Sequence, residues 1–262
     1  MKMSIGAPGK RVEVVAKEKR TFLKGINLAT MKNVAFSISR GQLTEFFRAL
    51  VFPAHTGLPA EKPLGMLAER DGAGKLRVYT LFTHEKGVPL TEDNIRKMSG
   101  EEKNGLLTAV MNRVGKTHAR LGIFKDFKLD NILYDAATGK MRFIDLEDAT
   151  VIPPAWFGSA KGMREAQGLL ADELARVLYL AVHHGLLNRD EKGLDRAFAA
   201  YAPHVRHLFQ GLMVPARPLK WWERLLPAKK LPLRPINDEE IVGYIRQETL
   251  KKMLEYGRGS RR

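Results

Sequence analysis

Cysteine is absent from the 262-residue chain. That excludes disulfides, thiolate metal sites and a cysteine nucleophile. No run of 18 or more apolar residues occurs, so no membrane-spanning helix is expected. Residues 1–15 lack the apolar core of a signal peptide. With no need of an oxidising compartment, the expected setting is the cytoplasm. Internal repeats and low-complexity tracts are also missing. Acidic residues are scarce at both ends. Residues 1–50 hold ten Lys/Arg against three Asp/Glu, and residues 205–262 hold thirteen against six. The middle, 51–204, is nearly balanced at 21 against 20, so nearly all of the net charge of +15 sits in the ends. One reading is a solvated basic surface. The other is a field that attracts a polyanion: a phosphorylated substrate, an anionic membrane or, ranked last, nucleic acid.

What is present changes character near residue 85. Val12, Val14, Phe22, Ile26, Val34, Phe36 and Ile38, interrupted by Gly9, Gly25 and Gly41, predict a small antiparallel sheet. Gln42 to Val51 reads as a short helix with Leu43, Phe46, Phe47 and Leu50 on one face, ended by Pro53, Gly57, Pro59 and Pro63. Leu64–Ala68 and Leu76–Phe82 read as strands around the turn Asp71-Gly72-Ala73-Gly74. Thr83–Pro89 has the polar, glycine-bearing character of a hinge. Beyond it, Ser99 with Glu102 fits a capping box, and Leu107, Val110, Met111, Val114, His118 and Leu121 follow at helical spacing. Ile132–Tyr134 and Met141–Ile144 are short strands, and 165–184, 191–202 and 238–256 are helices. Strands first and helices later predict an α+β protein of two lobes. The expected division is 1–84, a nucleotide-binding sheet plus helix, and 85–262, a helical catalytic and acceptor-binding lobe with a basic C-terminal region.

The chemistry concentrates between Asp126 and Asp145. The order is helix, polar loop carrying Asp126, Lys128 and Asn131, strand, turn, strand, then Asp145. Phosphoryl transfer needs a carboxylate to orient the attacking hydroxyl, oxygen ligands for Mg²⁺ and cations on the phosphates. Asp126 and Lys128 can serve as catalytic carboxylate and cation. Asn131 and Asp145, on adjacent strands, are two hard oxygen donors of the kind Mg²⁺ accepts beside water and phosphate.

Asp126-x-Lys128-x-x-Asn131 with Asp145 downstream resembles the catalytic and metal-binding loops of the protein-kinase-like superfamily. The stretches THARLGIFKDFKLDNILYD (117–135) and FIDLEDA (143–149) look most like the bacterial lipopolysaccharide kinases, which phosphorylate Kdo or heptose of the inner core. The close match covers about thirty residues, and element order extends it over 6–185. The resemblance implies ATP and Mg²⁺ as cofactors and a sugar or glycolipid hydroxyl as acceptor. It also implies a phosphate-covering loop at Gly6 and Gly9, and a strand lysine, Lys24, paired with Glu45 of the first helix. Lys17 and Lys19 compete with Lys24. An Asp at position 172 would hold the catalytic loop. A helix N-terminal charge is the plainer reading of Asp172.

Departures narrow the acceptor. Lys125 replaces the usual Arg or His before the catalytic Asp, and Leu146-Glu147 follows Asp145 where Phe-Gly is usual. No Ala-Pro-Glu segment precedes the next long helix. That favours a small or lipid-linked acceptor over a polypeptide, with an atypical Ser/Thr protein kinase and a pseudokinase binding module as alternatives. His118 reads as a core histidine. Asp130, Glu147 and Asp148 read as outer carboxylates, Asp148 being the one placed to assist a metal. Leu208, Phe209, Trp221 and Trp222, interleaved with Arg206, Arg217, Lys220, Arg224, Lys229 and Lys230, have the composition of an interfacial anchor at the inner face of a membrane; the plainer alternative is that the apolar residues pack the helical lobe.

Overall fold

The computed structural model describes residues 2–5, 12–19, 31–70, 76–188, 190–210, 213–215 and 233–259. Gly6, Gly9, Lys24, the turn 71–74, Trp221 and Trp222 lie outside the described residues. The architecture is α+β, in two compact units. The first comprises Met1–Ile95 and Phe124–Val151, and the second Arg96–Ile123 and Ile152–Arg262. This division differs from the expected cut after residue 84.

In the first unit, β1 (Lys2–Ile5), β2 (Val12–Lys19), β3 (Pro63–Arg70) and β4 (Leu76–Thr83) form an antiparallel sheet in the order β1-β2-β4-β3. The expected strands at 64–68 and 76–82 are β3 and β4. Helix α1 runs over Met31–Thr56, which corrects two expectations. Val34, Phe36 and Ile38 lie in a helix, because Val34 and Ile38 fit an i, i+4 spacing as well as an alternating one. Pro53 does not end the helix. It withdraws one N–H near the C-terminus. Thr56 Oγ1 donates to Phe52 O at 2.7 Å in that turn. The stop is Gly57, whose φ of 65° is the left-handed conformation that glycine adopts without a steric penalty.

The expected hinge, 83–89, is part of this unit. Its strand β5 (Val88–Pro89) pairs with β7 (Ile132–Asp135), which pairs in turn with β8 (Lys140–Phe143). Arg142 Nε donates to Glu85 Oε2 at 3.2 Å, and Thr83 Oγ1 to Glu85 Oε1 at 2.8 Å. Those ties group the β7–β8 hairpin with the sheet unit. The short helix α2 (Glu92–Arg96) follows β5.

The second unit is built on α3 (Gly100–Ala119), α4 (Ala160–His183), α5 (Glu191–Phe209) and α6 (Asp238–Gly259), with short strands β6 (Gly122–Ile123), β10 (Met213–Pro215) and β11 (Leu233–Pro235). The capping box is present: Ser99 Oγ accepts from Glu102 N–H and Glu102 accepts from Ser99 N–H. Strand β9 (Thr150–Val151) closes the sheet unit's second segment. Helix α4 starts five residues before the expected Glu165, capped by Ser159. Asp172 therefore lies midway along α4 rather than at its N-terminus. Its carboxylate accepts from the Tyr256 hydroxyl at 3.2 Å, so the helix-terminus reading is withdrawn. Helix α5 buries Phe198, Tyr201, Val205, Leu208 and Phe209. Leu208 and Phe209, counted in the interfacial stretch from sequence, are core. Among the described residues, no helix is long and apolar enough to cross a membrane.

His118 is fully buried, as a core histidine should be. Its Nδ1 lies 2.7 Å from the Tyr201 hydroxyl and its Nε2 2.7 Å from Glu173 Oε2. Burial, reinforced by the negative Glu173, raises the Tyr201 pKa well above the usual phenol value. Tyr201 therefore keeps its proton and can donate it to Nδ1, leaving Nε2–H to donate to Glu173. Tyr201→Phe removes the donor and leaves a buried ring nitrogen unsatisfied. It is expected to lower unfolding free energy by about 1–3 kcal/mol, read as a lower denaturant midpoint at unchanged m-value.

Candidate active site

The loop 124–131 alternates buried and exposed residues. Phe124, Phe127 and Leu129 are buried, while Lys125, Lys128 and Asp130 are exposed and Asp126 is half-buried. Phe124 stacks on Phe143 of β8 with centroids 5.5 Å apart, and meets Phe127 edge-on at 5.5 Å and Phe52 of α1 at 5.7 Å. This cluster fixes the loop from beneath. Asp126 N–H donates to Phe124 O at 2.8 Å across Lys125, whose φ is 62°. Such a γ-turn with positive φ is rare and strained. It lifts Asp126 off the apolar floor.

Lys128 Nζ donates to Asp126 Oδ2 at 2.5 Å, on side chains 53% and 39% exposed. At that exposure the pair contributes little to stability. Its consequence is a cation held beside the candidate catalytic carboxylate. One 3-10 turn, Leu129–Asn131, then leads into β7.

Asn131 and Asp145 come together at one end of the β7–β8 hairpin. Ile132 is the register partner of Phe143, and Ile144 N–H donates to Asn131 O at 2.8 Å. At the other end, Asp135 accepts from Thr138 Oγ1 at 2.7 Å and from Ala137 N–H at 3.1 Å. The Thr138 bond leads in holding its carboxyl below the usual Asp value. Asp145 has φ 63°, a left-handed conformation that Asp tolerates better than most residues. Arg48 Nη1 of α1 donates to Glu147 O at 3.3 Å, tying the helix to the segment after Asp145.

Sequence-expected residues thus divide into three groups. Asp126 and Lys128 are in contact, and Asn131 and Asp145 share one hairpin end, with Phe124–Phe143 stacking the loop onto that hairpin. Glu45 lies on α1 and is half-buried; Lys24, the partner expected for it, is outside the described residues, while Lys17 and Lys19 lie on β2. Asp130 and Asp148 are exposed. Sequence reading missed Arg48, the Phe52–Phe124–Phe127–Phe143 cluster and Glu61, a carboxylate 5% exposed. The aromatic spacing could have signalled the cluster. Glu61, among prolines 59 and 63, gave no signal.

The donor chemistry fits Mg²⁺. Asn131 amide oxygen and Asp145 carboxylate are hard donors, and a phosphate-bound Mg²⁺ takes only one or two protein ligands. Among the described residues there is no cluster of three or more His, Cys, Asp or Glu that could hold a metal ion.

No protein-family model matches the chain, and no curated protein matches it. Among solved structures, one described as "WaaP in complex with acyl carrier protein" is similar over 96% of this chain and 84% of that one, at 14% identity and a TM-score of 0.46.

Proposed function

We propose that this chain is an ATP- and Mg²⁺-dependent phosphotransferase of protein-kinase-like fold. The acceptor is a hydroxyl of a small or lipid-linked molecule, such as a lipopolysaccharide core sugar. The observation that carries the reading is the joint placement of four residues. Lys128 sits on Asp126, and the Ile144–Asn131 bond sets Asn131 and Asp145 at one hairpin end.

In this reading Asp126 accepts the proton of the acceptor hydroxyl and aims its oxygen at the γ-phosphorus. The new O–P bond forms as the β–γ bridging bond breaks, with ADP leaving. Lys128, held at Asp126, offsets charge on the transferring phosphoryl group. Asn131 and Asp145 would hold Mg²⁺, which would supply charge neutralisation on the phosphates. The acceptor class rests on the 14 residues 146–159 between Asp145 and α4, too few for the peptide-holding segment of a protein kinase. Lys128, typical of Ser/Thr kinases, is what favours a protein acceptor instead. A peripheral contact of the basic ends with an anionic membrane is supported by their charge and by Trp221 and Trp222 in the C-terminal stretch.

Labelled ATP incubated with envelope glycolipid and with total protein in parallel tests the acceptor. Label in glycolipid is expected, and label confined to protein would transfer the assignment to the protein-kinase reading. Asp126→Asn is expected to cut kcat by about 10²–10⁴-fold while ATP-induced thermal stabilisation persists. Asp145→Ala is expected to abolish the Mg²⁺-dependent part of that stabilisation, and Mg·ATP binding as tight as wild type would pass the ligand role to Asp148. The phosphate-binding lysine belongs on a strand, and β2 carries Lys17 and Lys19. Lys24→Met is nevertheless expected to raise the KM for ATP and lower kcat; if Lys17→Met or Lys19→Met does this and Lys24→Met does not, the phosphate-binding lysine is on β2.

A further inference from the structure

Glu61 is buried and has no role in the chemistry above. It closes a short segment, 59–61, that runs parallel beside the end of β8. Phe143 N–H donates to Pro59 O and Glu61 N–H donates to Phe143 O, both at 2.9 Å, around the parallel bridge Ala60↔Phe143. In a parallel ladder the next step would join Asp145 N–H to the main-chain carbonyl of Glu61, and the step after would need an N–H at residue 63. Residue 63 is proline and has none. The segment turns away instead: Lys62 N–H donates to Thr83 Oγ1 and Thr83 N–H to Lys62 O, both at 2.9 Å. The bond at Asp145 is kept by a side chain. Asp145 N–H donates to Glu61 Oε1 at 2.8 Å, from a residue at φ 63°.

We propose that Glu61 is a positioning residue for Asp145. Its carboxylate replaces the missing ladder carbonyl and holds the left-handed Asp145 backbone that presents the Asp145 side chain. A backbone N–H on a carboxylate is a charge-assisted bond, stronger than the amide–carbonyl bond it replaces. With Ile144 N–H on Asn131 O, two consecutive amides are pinned, one to Asn131 and one to Glu61. The proposal rests on the reading of Asp145 as a Mg²⁺ ligand.

Two variants separate the possibilities. Glu61→Ala removes the acceptor, and Glu61→Gln keeps an oxygen in its place without the charge. The first readout is hydrogen exchange at the Asp145 amide of the ligand-free protein, followed by NMR. The second is the Mg²⁺ concentration giving half-maximal thermal stabilisation by ATP. Glu61→Ala is expected to speed exchange about tenfold or more and to raise that Mg²⁺ concentration about tenfold. Stabilisation by ATP in EDTA should be unchanged. Glu61→Gln is expected to shift both readouts a few-fold in the same direction, and carries the test alone if Glu61→Ala does not fold. Exchange unchanged in the folded variants overturns the proposal, as does faster exchange with unchanged Mg²⁺ dependence. A wild type with no Mg²⁺-dependent ATP stabilisation overturns the phosphotransferase reading, and the positioning role with it, while the exchange data still decide whether the Glu61–Asp145 bond exists in solution.

Discussion

The stacking of Phe124 on Phe143 is the contact on which the candidate site depends. It joins the loop that bears Asp126 to the strand that ends at Asp145, with centroids 5.5 Å apart and planes 24° from parallel. Burying a phenyl ring contributes about 1.5–3 kcal/mol, and an aromatic pair adds about 0.5–1.5 kcal/mol. No polar contact of the loop contributes as much, the exposed Lys128–Asp126 pair least of all. Polar groups that must stay accessible to substrate cannot anchor themselves. They are carried by apolar neighbours at positions 124, 127 and 129, which alternate with them along the chain.

That anchoring sustains a strained backbone. Leu121, Lys125 and Asp145 are the non-glycine residues at positive φ among those described, near 60° each. Conformations of this kind cost on the order of 1–3 kcal/mol each and persist where the surroundings over-determine them. Two of the three flank or form the proposed chemistry. Lys125 sits between the buried Phe124 and the raised Asp126. Asp145 is fixed on one side by the hairpin and on the other by Glu61.

Much of this was legible in the sequence. The Ser99–Glu102 capping box, the 3.6-residue period through Val110, Met111 and Val114, and the hairpin around 135–139 depend on local chemistry, and local chemistry is what a sequence displays. The cluster Asp126, Lys128, Asn131 and Asp145 was readable because its members are close along the chain or joined by one hairpin. Helix α1 was not, because residues 34–38 satisfy two periods at once and Pro53 looks like a stop that the last helical turn tolerates. Glu61 was invisible for a different reason. Its partner amide is 84 residues away, and nothing in its own neighbourhood marks it as buried. Asp172 was misplaced because the helix begins before its apolar period does, at a serine cap.

The sheet unit is discontinuous: the chain leaves it after residue 95 and returns at 124. Assembly of the site therefore follows a fixed order during synthesis. Glu61 emerges 84 residues before the amide it binds, an interval of roughly 4–17 s at about 5–20 residues per second. Until Phe124 is made, Phe52 has no aromatic partner from the second segment, and until residue 143 is made the main-chain groups of 59–61 have no strand to join. The four-stranded sheet is complete in residues 2–83, but the placement of Asn131 and Asp145 needs the second segment. A nascent chain stalled within α3 would therefore leave Phe52 and the main-chain groups of 59–61 without the partners they have in the finished fold.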